Sequence, residues 1–394
     1  MARALIIQLA RLGDLLQSLP AITAIKTGTP GTAVDVLCAA HLAPIGRMLP
    51  GISRVLEWDG AAWQRRAQAT GAELHPDHIR EAEREISTLS SEPYDCAYVL
   101  NQHPRALLAG ALLARKMKGP RLHGPLDEQL TPWAAYVREV ANTRRGRRVH
   151  LADAFCGLCG VCPLGQPVTI NRAPCDLPAG LEHIGKHGGP WIGLIVGAGD
   201  TERLVPVAVW RQWMTRFLKT VPRGRVVLVG QERERGHAIQ DTLPPSALGR
   251  IWDATGRTSL PELASILARC HTVIGADTGP LHLAAAVGTP VIGWYFARAR
   301  VHETGPYGTR HLIWQANGAG DRATPDSHLI QPSRWPIEET ITALLANPAQ
   351  GMEGWSVWTS HCDRWGAYYV EAGQCPTPPQ EREALWRELQ PAIQ

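Results

Sequence analysis

Residues 275–296 read Gly-Ala-Asp-Thr-Gly-Pro-Leu-His-Leu-Ala-Ala-Ala-Val-Gly-Thr-Pro-Val-Ile-Gly-Trp-Tyr-Phe. An apolar run, His271 to Ile274, leads into them as a buried strand and ends in a small-residue turn carrying one acid, Asp277. A helix opens at Thr278, Gly279 and Pro280. Proline is tolerated there because its missing N–H would be unpaired in the first turn anyway. A second apolar run, Thr289 to Tyr295, follows at once. The stretch is therefore a strand–turn–helix–strand unit whose helix N-terminus opens at a strand's carboxyl end. Free amides and the positive end of the helix dipole suit that spot to anions, phosphates above all. A plain βαβ turn would look similar, but His282 one turn into the helix and the closing Gly288-Thr289-Pro290 favour a phosphate site.

Working outward, the same alternation covers residues 186–330. Trp191 to Val196, Arg225 to Val229 and the run at His271 read as strands. Val207 to Thr220, Glu232 to Thr242 and Ser259 to Ala268 read as helices. Short apolar runs alternating with helical patterns predict a mainly parallel sheet with helices on its faces. In such a sheet three turns share one edge: Gly197-Ala198-Gly199 with Arg203 after it, Gly230-Gln231-Glu232, and Asp277-Thr278-Gly279. Glycines let a ligand approach the backbone, and an Arg beside a helix N-terminus suits a diphosphate. Arg203 on its own would read as a surface residue. Glu232 reads as an acceptor of ribose hydroxyls or as an exposed acid at a helix start.

The first half shows the pattern too, with strands at Ala4–Leu9, Ala33–Leu37 and Tyr94–Leu100. Helices are expected at Asp14–Lys26, bent near Pro20, at Asp77–Leu89 and at Arg105–Met117. Asp14 follows Gly13 at the carboxyl end of the first strand. It reads equally as an N-capping acid or as a general base. No Gly-x-Gly-x-x-Gly follows this strand, which weakens a dinucleotide reading. Residues 160–190 are dense in Pro and Gly and read as a linker. The expected domains are residues 1–165, 186–330, and an extension, 331–394, in which the alternation dissolves. Within that extension Glu338–Leu345 and Gln380–Leu389 look helical. It either crosses back onto the first domain or decorates the fold.

The 394 residues suffice for two domains and an extension, and 44% hydrophobic content excludes global disorder. A formal charge of +4 lacks the clustered basic stripes of a nucleic-acid binder. The densest basic run, Arg144 to Arg148, reads as a solvated loop or as a contact for anionic lipid or a phosphorylated acceptor. The start of the chain is apolar but broken by Arg3, Arg11, Asp14 and Pro20, which predicts neither a signal peptide nor a membrane span. A cytoplasmic protein is expected, with peripheral attachment to the inner face of the cell membrane as the alternative. Cys156, Cys159, Cys162 and Cys175 invite an iron–sulfur or zinc reading. Reduced thiols at a helix end are the expectation, because Ala152 to Leu158 reads as a helix and Gly160, Pro163 and Gly165 as linker. Fourteen Trp against three Phe has no explanation at this level. No Asp-x-Asp occurs in the chain, so neither a metal nor a cofactor is expected, and diphosphate binding would fall to amides and Arg203.

Two stretches carry a family resemblance. Arg-Leu-Gly-Asp-Leu-Leu-Gln-Ser-Leu-Pro (11–20) and Asp-Thr-Gly-Pro-Leu-His-Leu-Ala-Ala-Ala-Val-Gly-Thr-Pro (277–290) resemble the motifs of glycosyltransferase family 9, the ADP-heptose:lipopolysaccharide heptosyltransferases. The resemblance covers roughly residues 1–315. It implies a GT-B fold, two Rossmann-like domains facing a central cleft, and an inverting transfer from an ADP-sugar to a lipid-linked saccharide. By position Asp14 matches the catalytic base. Arg203 stands where the family usually has a Lys that binds donor phosphate, and Val205-Pro206 replaces the usual Trp-Pro. Ala198 and Gly199 stand near donor contacts, Gly199 where a hydroxyl is common. Glu232 and Thr258 match positions near the nucleoside. Asp277, Thr278, Gly279 and His282 match diphosphate and sugar contacts. The departures at Arg203 and Gly199 leave room for a sugar-nucleotide binder without turnover, or for a transferase using another donor or a protein acceptor.

Overall fold

The computed structural model describes residues 2–69, 76–123, 127–143, 149–171, 176–186, 188–241, 243–317, 330, 334–375 and 377–390. The chain forms two compact units. The first comprises Met1–Asn171, Arg364–Gly366 and Gln380–Gln394; the second comprises Arg172–Asp363 and Ala367–Pro379.

In the first unit, strands β1 (Arg3–Gln8), β2 (Ala33–Cys38), β3 (Ile52–Glu57), β4 (Cys96–Val99) and β5 (Met117–Lys118) form a sheet in the order β3-β2-β1-β4-β5. Every pairing in it is parallel. The central β1 is buried on both faces through Ala4, Leu5, Ile6 and Ile7, which is why it reads as an unbroken apolar run. A small antiparallel pair, β6 (Arg121–His123) and β7 (Asp127–Gln129), lies beside it in sequence. The bend foreseen near Pro20 resolves into two helices, Leu12–Gln17 and Leu19–Gly28, that meet at Ser18. Pro20 falls in the first turn of the second helix, where it costs no hydrogen bond. The helix expected over Arg105–Met117 is shorter, Pro104–Leu113. Ala114 turns extended, Arg115 donates its amide to the Tyr94 carbonyl, and Met117 enters β5.

The second unit holds β8 (Trp191–Ile195), β9 (Arg225–Val229), β10 (Ile251–Asp253), β11 (Thr272–Ala276), β12 (Val291–Tyr295), β13 (Leu312–Ala316), β14 (Trp355–Asp363) and β15 (Gly366–Glu371). Their order is β10-β9-β8-β11-β12-β13-β14-β15. The sheet is parallel from β10 to β13 and antiparallel between β13 and β14. The carboxyl-terminal region is thus not featureless: β14 and β15 extend this sheet. Burial along β14 alternates at first and then fades, the pattern of a half-covered strand. The last helix, Gln380–Leu389, belongs to the first unit, where Trp386 packs 4.4 Å from Trp133.

Tryptophan explains how the second unit incorporates its tail. Trp210, on the helix Val207–Thr220, stacks on Trp294 of β12 at 4.7 Å, and Trp294 meets Trp335 at 5.6 Å. Trp335 in turn meets Phe296 and Trp355. The indole N–H of Trp294 donates to Thr340 and that of Trp355 to the Arg334 carbonyl. Large flat rings bury much area, and Trp294 and Trp355 also bond through their N–H while the buried N–H groups of Trp210 and Trp335 find no partner among the described residues, so packing chiefly joins the tail to the parallel sheet.

Candidate functional site

The chain leaves β8 toward β9 and β10, then returns on the other side of β8 as β11. At such a switch point the connections after β8 and β11 diverge, leaving a crevice at their carboxyl ends. Gly197, Ala198 and Gly199 follow β8 there, and Asp277, Thr278 and Gly279 follow β11. A short 3₁₀ turn, Thr201–Arg203, returns the Arg203 side chain across the gap. Its Nη1 donates to the Asp277 carbonyl at 2.8 Å and lies 3.8 Å from Asp277 Oδ2, while Nη2 pairs with the Asp200 carboxylate.

Thr278 is the N-cap of the helix Gly279–Ala286 in backbone geometry, but its hydroxyl makes no capping bond. The residue is only 6% exposed, and Oγ1 has no hydrogen-bond partner among the described residues. A buried hydroxyl left without a partner costs about 1–3 kcal/mol. Pro280 carries no N–H and the Leu281 amide donates to the Thr278 carbonyl at 3.0 Å, so the amides this helix start can offer are those of Thr278 and Gly279. Together they form a set of donors suited to an anion.

Asp277 is held from several directions. His282, 6% exposed, places Nε2 3.3 Å from Asp277 Oδ1, and Thr304 Oγ1 donates to Oδ2 at 3.4 Å. Tyr295, at the end of β12, donates its hydroxyl to the Thr304 carbonyl at 2.9 Å. Burial pushes the Tyr295 phenol well above its ordinary range, and the Asp277 charge adds to that, so the hydroxyl stays protonated. Sequence reading did not single out Tyr295 or Thr304. For Tyr295 the available signal was a polar aromatic ending a strand at the same sheet edge as Asp277.

The β9 turn closes the opposite flank. A Cβ on Gly197 would lie 1.8 Å from Glu232 Oε2, so glycine here lets the Glu232 carboxylate rest against the β8 turn, and any side chain would make that carboxylate swing away. That carboxylate accepts the Gln231 amide at 3.1 Å. Arg235 donates Nε to the Val196 carbonyl at 2.5 Å and also bonds the Val205 carbonyl, joining the β8 turn to the helix Arg233–Gln240. Its burial depresses the guanidinium pKa, with Glu232 opposing. Thr258 is half-buried, two residues beyond Gly256, whose amide donates to Gly230 at 2.8 Å. Ala198 is half-buried and Gly199 exposed, with open space where a Gly199 side chain would be. The second unit thus brings Arg203, Asp277, Thr278, Gly279 and His282 together at the switch point, with Glu232 beside Gly197.

Asp14 lies in the first unit and is not an N-cap. Arg11 holds that position, and Asp14 is the third residue of the helix Leu12–Gln17, its Oδ2 accepting the Arg11 amide at 3.1 Å. It is half-buried at the carboxyl end of β1. Buried Gln8 donates to the Asp14 carbonyl at 3.3 Å and pairs with Asn101, which accepts the Leu9 amide at 2.5 Å. Arg105 donates to the Leu9 carbonyl at 3.1 Å and to Gln64 at 2.6 Å. This polar frame braces the β1/β4 switch point, and sequence reading missed it because Gln8 and Asn101 look like ordinary strand ends.

Cys156 and Cys159 are buried in the helix Leu151–Cys159, and Cys162 is exposed beyond it. Burial pushes both helix thiols well up, Asp153 adding at Cys156. Cys175 and the run Arg144 to Arg148 lie outside the described residues. Among the described residues, no cluster of three or more His, Cys, Asp or Glu could hold a metal ion. Among those same residues, no helix is long and apolar enough to cross a membrane.

Comparison with known proteins bears on the family and the fold. The chain is 25% identical over 312 residues to lipopolysaccharide heptosyltransferase 1 of Pseudomonas aeruginosa, covering 78% of this chain and 81% of that one. It is 22% identical over 317 residues to lipopolysaccharide heptosyltransferase 3 of Escherichia coli, covering 77% and 83%. Its fold is similar to that of E. coli ADP-heptose lps heptosyltransferase II, with a TM-score of 0.59 and 17% identity over 87% of this chain and 99% of that one. That likeness supports the GT-B architecture, with a Rossmann-like sheet in each unit. The profile of glycosyltransferase family 9 (heptosyltransferase) matches residues 84–326, more than half of the sequence, and the chain belongs to that family.

Proposed function

We propose that this protein is an inverting glycosyltransferase that moves a heptose or related sugar from an ADP-sugar to a saccharide acceptor of the lipopolysaccharide-core type. The observation that carries the reading is the junction of Arg203, Asp277 and the helix N-terminus at Thr278 on the second unit's switch point. A guanidinium, a buried unpartnered hydroxyl and orphan amides form a donor set for a diphosphate leaving group. Glu232 would accept from ribose, with Thr258 near the nucleoside, and Asp277 and His282 would border the sugar.

In the proposed step Asp14 takes the proton from an acceptor hydroxyl as its oxygen attacks the anomeric carbon. The bond to the nucleoside diphosphate breaks with inversion. Arg203 and the amides of Thr278 and Gly279 stabilise the departing charge, which is work a metal ion does in other sugar-nucleotide enzymes. The reading needs no cofactor beyond the ADP-sugar. A lipid-linked acceptor would bring the protein to the inner face of the cell membrane.

A melting-temperature screen across ADP-, UDP-, GDP- and CMP-sugars tests the donor, because a specific ligand raises apparent stability by mass action. A shift with ADP-sugars alone supports the reading, and a shift with UDP-sugars alone replaces the donor. A second reading, a sugar-nucleotide binder without turnover, draws on the departures at Arg203 and Gly199. Donor hydrolysis without acceptor separates it: a binder shifts its melting temperature but releases no ADP.

A further inference from the structure

We infer that Tyr369, on the carboxyl-terminal extension, is a positioning residue of the anion site: it holds the turn Thr304-Gly305-Pro306 against Asp277 and so keeps the Asp277 carboxylate off Arg203. The inference rests on the diphosphate reading of the second unit's switch point and deepens it, because it gives the extension a part in donor binding.

Asp277 brings a negative charge to a place built for anions. Its backbone carbonyl anchors Arg203 Nη1 at 2.8 Å, while its carboxylate Oδ2 stands 3.8 Å from the same nitrogen, beyond hydrogen-bond reach. A carboxylate free to close that gap would take up the cation that a diphosphate needs. His282 Nε2 lies 3.3 Å from Oδ1 and Thr304 Oγ1 lies 3.4 Å from Oδ2, one on each side of the carboxylate. Thr304 Oγ1 also lies 3.3 Å from the Arg300 carbonyl. A hydroxyl has one proton to give, so a small shift of the Thr304 turn decides whether Asp277 receives it.

That turn ends the connection between β12 and β13, and the connection is fixed along its length. Buried Gln315 of β13 donates to the Ala299 carbonyl at 3.1 Å and accepts the Val301 amide at 3.0 Å. Two fully buried tyrosines then clamp the turn from behind. Tyr295 donates to the Thr304 carbonyl at 2.9 Å, and Tyr369 of β15 donates to the Pro306 carbonyl at 2.7 Å. Gly305, between them, has a φ of −56°, which any residue adopts. Glycine is needed there because of the ring: a Cβ would lie 2.4 Å from Tyr369 Cε2. Ring and turn are fitted to each other. Burial first, with Cys362 and then Asp277 adding, pushes the Tyr369 phenol well above its ordinary range, so its hydroxyl remains a donor.

Isothermal titration with inorganic pyrophosphate and with ADP compares wild type, Tyr369→Phe, Thr304→Val, the double variant and Trp355→Phe. Phenylalanine keeps the ring against Gly305 and loses the bond to Pro306. Valine keeps the shape of Thr304 and loses the bond to Asp277. Trp355→Phe loses an indole bond to Arg334 elsewhere in the extension and controls for general loosening. Tyr369→Phe and Thr304→Val should each raise Kd for both ligands at least about threefold, the scale of one net hydrogen bond. The double variant should bind no more weakly than the weaker single, because both act through one contact, and Trp355→Phe should leave Kd unchanged. Gly305→Ala presses on the turn from the ring side and should weaken binding likewise; it carries the test if Tyr369→Phe melts too low to titrate. Unchanged pyrophosphate binding in either single variant, additive losses in the double variant, or an equal loss in Trp355→Phe overturns the inference and leaves Tyr369 a residue of the fold. The expected pattern with pyrophosphate but no ADP binding by any protein upholds the positioning and removes the ADP-donor reading. No binding of either ligand by wild type overturns both.

Discussion

Arg203 and Asp277 stand 74 residues apart in sequence, yet the guanidinium of one donates to the backbone carbonyl of the other at 2.8 Å, across the point where β8 and β11 diverge. The contact fixes a cation beside a helix N-terminus. Arg203→Ala is expected to lower transfer on the order of 10²-fold, the usual scale for losing one group that stabilises leaving-group charge. Arg203→Lys should recover part of it, because the charge returns without the second arm of the fork. A steady-state assay with the donor identified by the melting screen reads both.

Asp14→Asn is expected to cut turnover by roughly 10²- to 10⁴-fold, the range for removing a general base. ADP affinity should hold, because every donor contact proposed here lies in the second unit. Asparagine can still accept the Arg11 amide that Asp14 now binds at 3.1 Å, so the helix start survives. Near-normal turnover would remove Asp14 from the base role.

Gly366 sits in the left-handed region at φ +101°, and a Cβ there would fall 2.0 Å from Asp153 Oδ1. Both backbone conformation and space demand glycine, so Gly366→Ala should cost about 2 kcal/mol or more in a denaturant titration. Loss on that scale would show that the tail is integral to the first unit's fold. A cost under half a kcal/mol would contradict the contact.

His311 is buried with its pKa depressed to about 4, first by burial and then by the neighbouring Arg310 and His282 charges, the Tyr307 backbone opposing. Unfolded, it titrates near the ordinary 6.5. Between those values the unfolded chain binds a proton that the folded chain does not. Stability is therefore intact above about 6.5 and falls as pH drops toward 4. His311→Gln should flatten that segment of a stability–pH curve by an amount on the order of a few kcal/mol across the window. An unchanged slope would place the titration elsewhere.

Trp294 stacks on Trp210 at 4.7 Å and donates to Thr340 at 3.1 Å, linking the parallel sheet to the tail. Trp294→Ala should destabilise by about 3–5 kcal/mol. Trp294→Phe should recover much of the packing and lose the hydrogen bond. Calorimetric melting of the three proteins separates the two terms.

Particular segments show where sequence reading succeeds. The helix Val207–Thr220 and strand Arg225–Val229 appear with the limits expected from their periodicity, because Pro206 marks the helix start and the strand is buried along nearly all its length. The helix Gln380–Leu389 was equally legible as an element. Strands β14 and β15 were not. Their alternation is irregular and carries Trp, Ser, Thr and His, so it makes sense only once β13 lies beside them as a template. The site divides the same way. Asp277, Thr278, Gly279 and Arg203 were readable as a glycine-and-charge pattern at element boundaries. Tyr295, Thr304 and Asp200 were not, because each acquires its role from a residue it touches only after folding.

The alternating elements, the glycine turns at the strand ends and the family were legible in the chain alone, since hydrophobic period, caps and motifs are local properties of a chain. That Arg203 reaches Asp277, that Asp200 pairs with Arg203, that the Glu232 carboxylate rests against Gly197, and that the tail divides between the two units emerge from the folded arrangement alone. Those relations depend on strand order and on which faces bury against each other. The free energy that selects them comes from contacts between residues far apart in the chain, which no local pattern records.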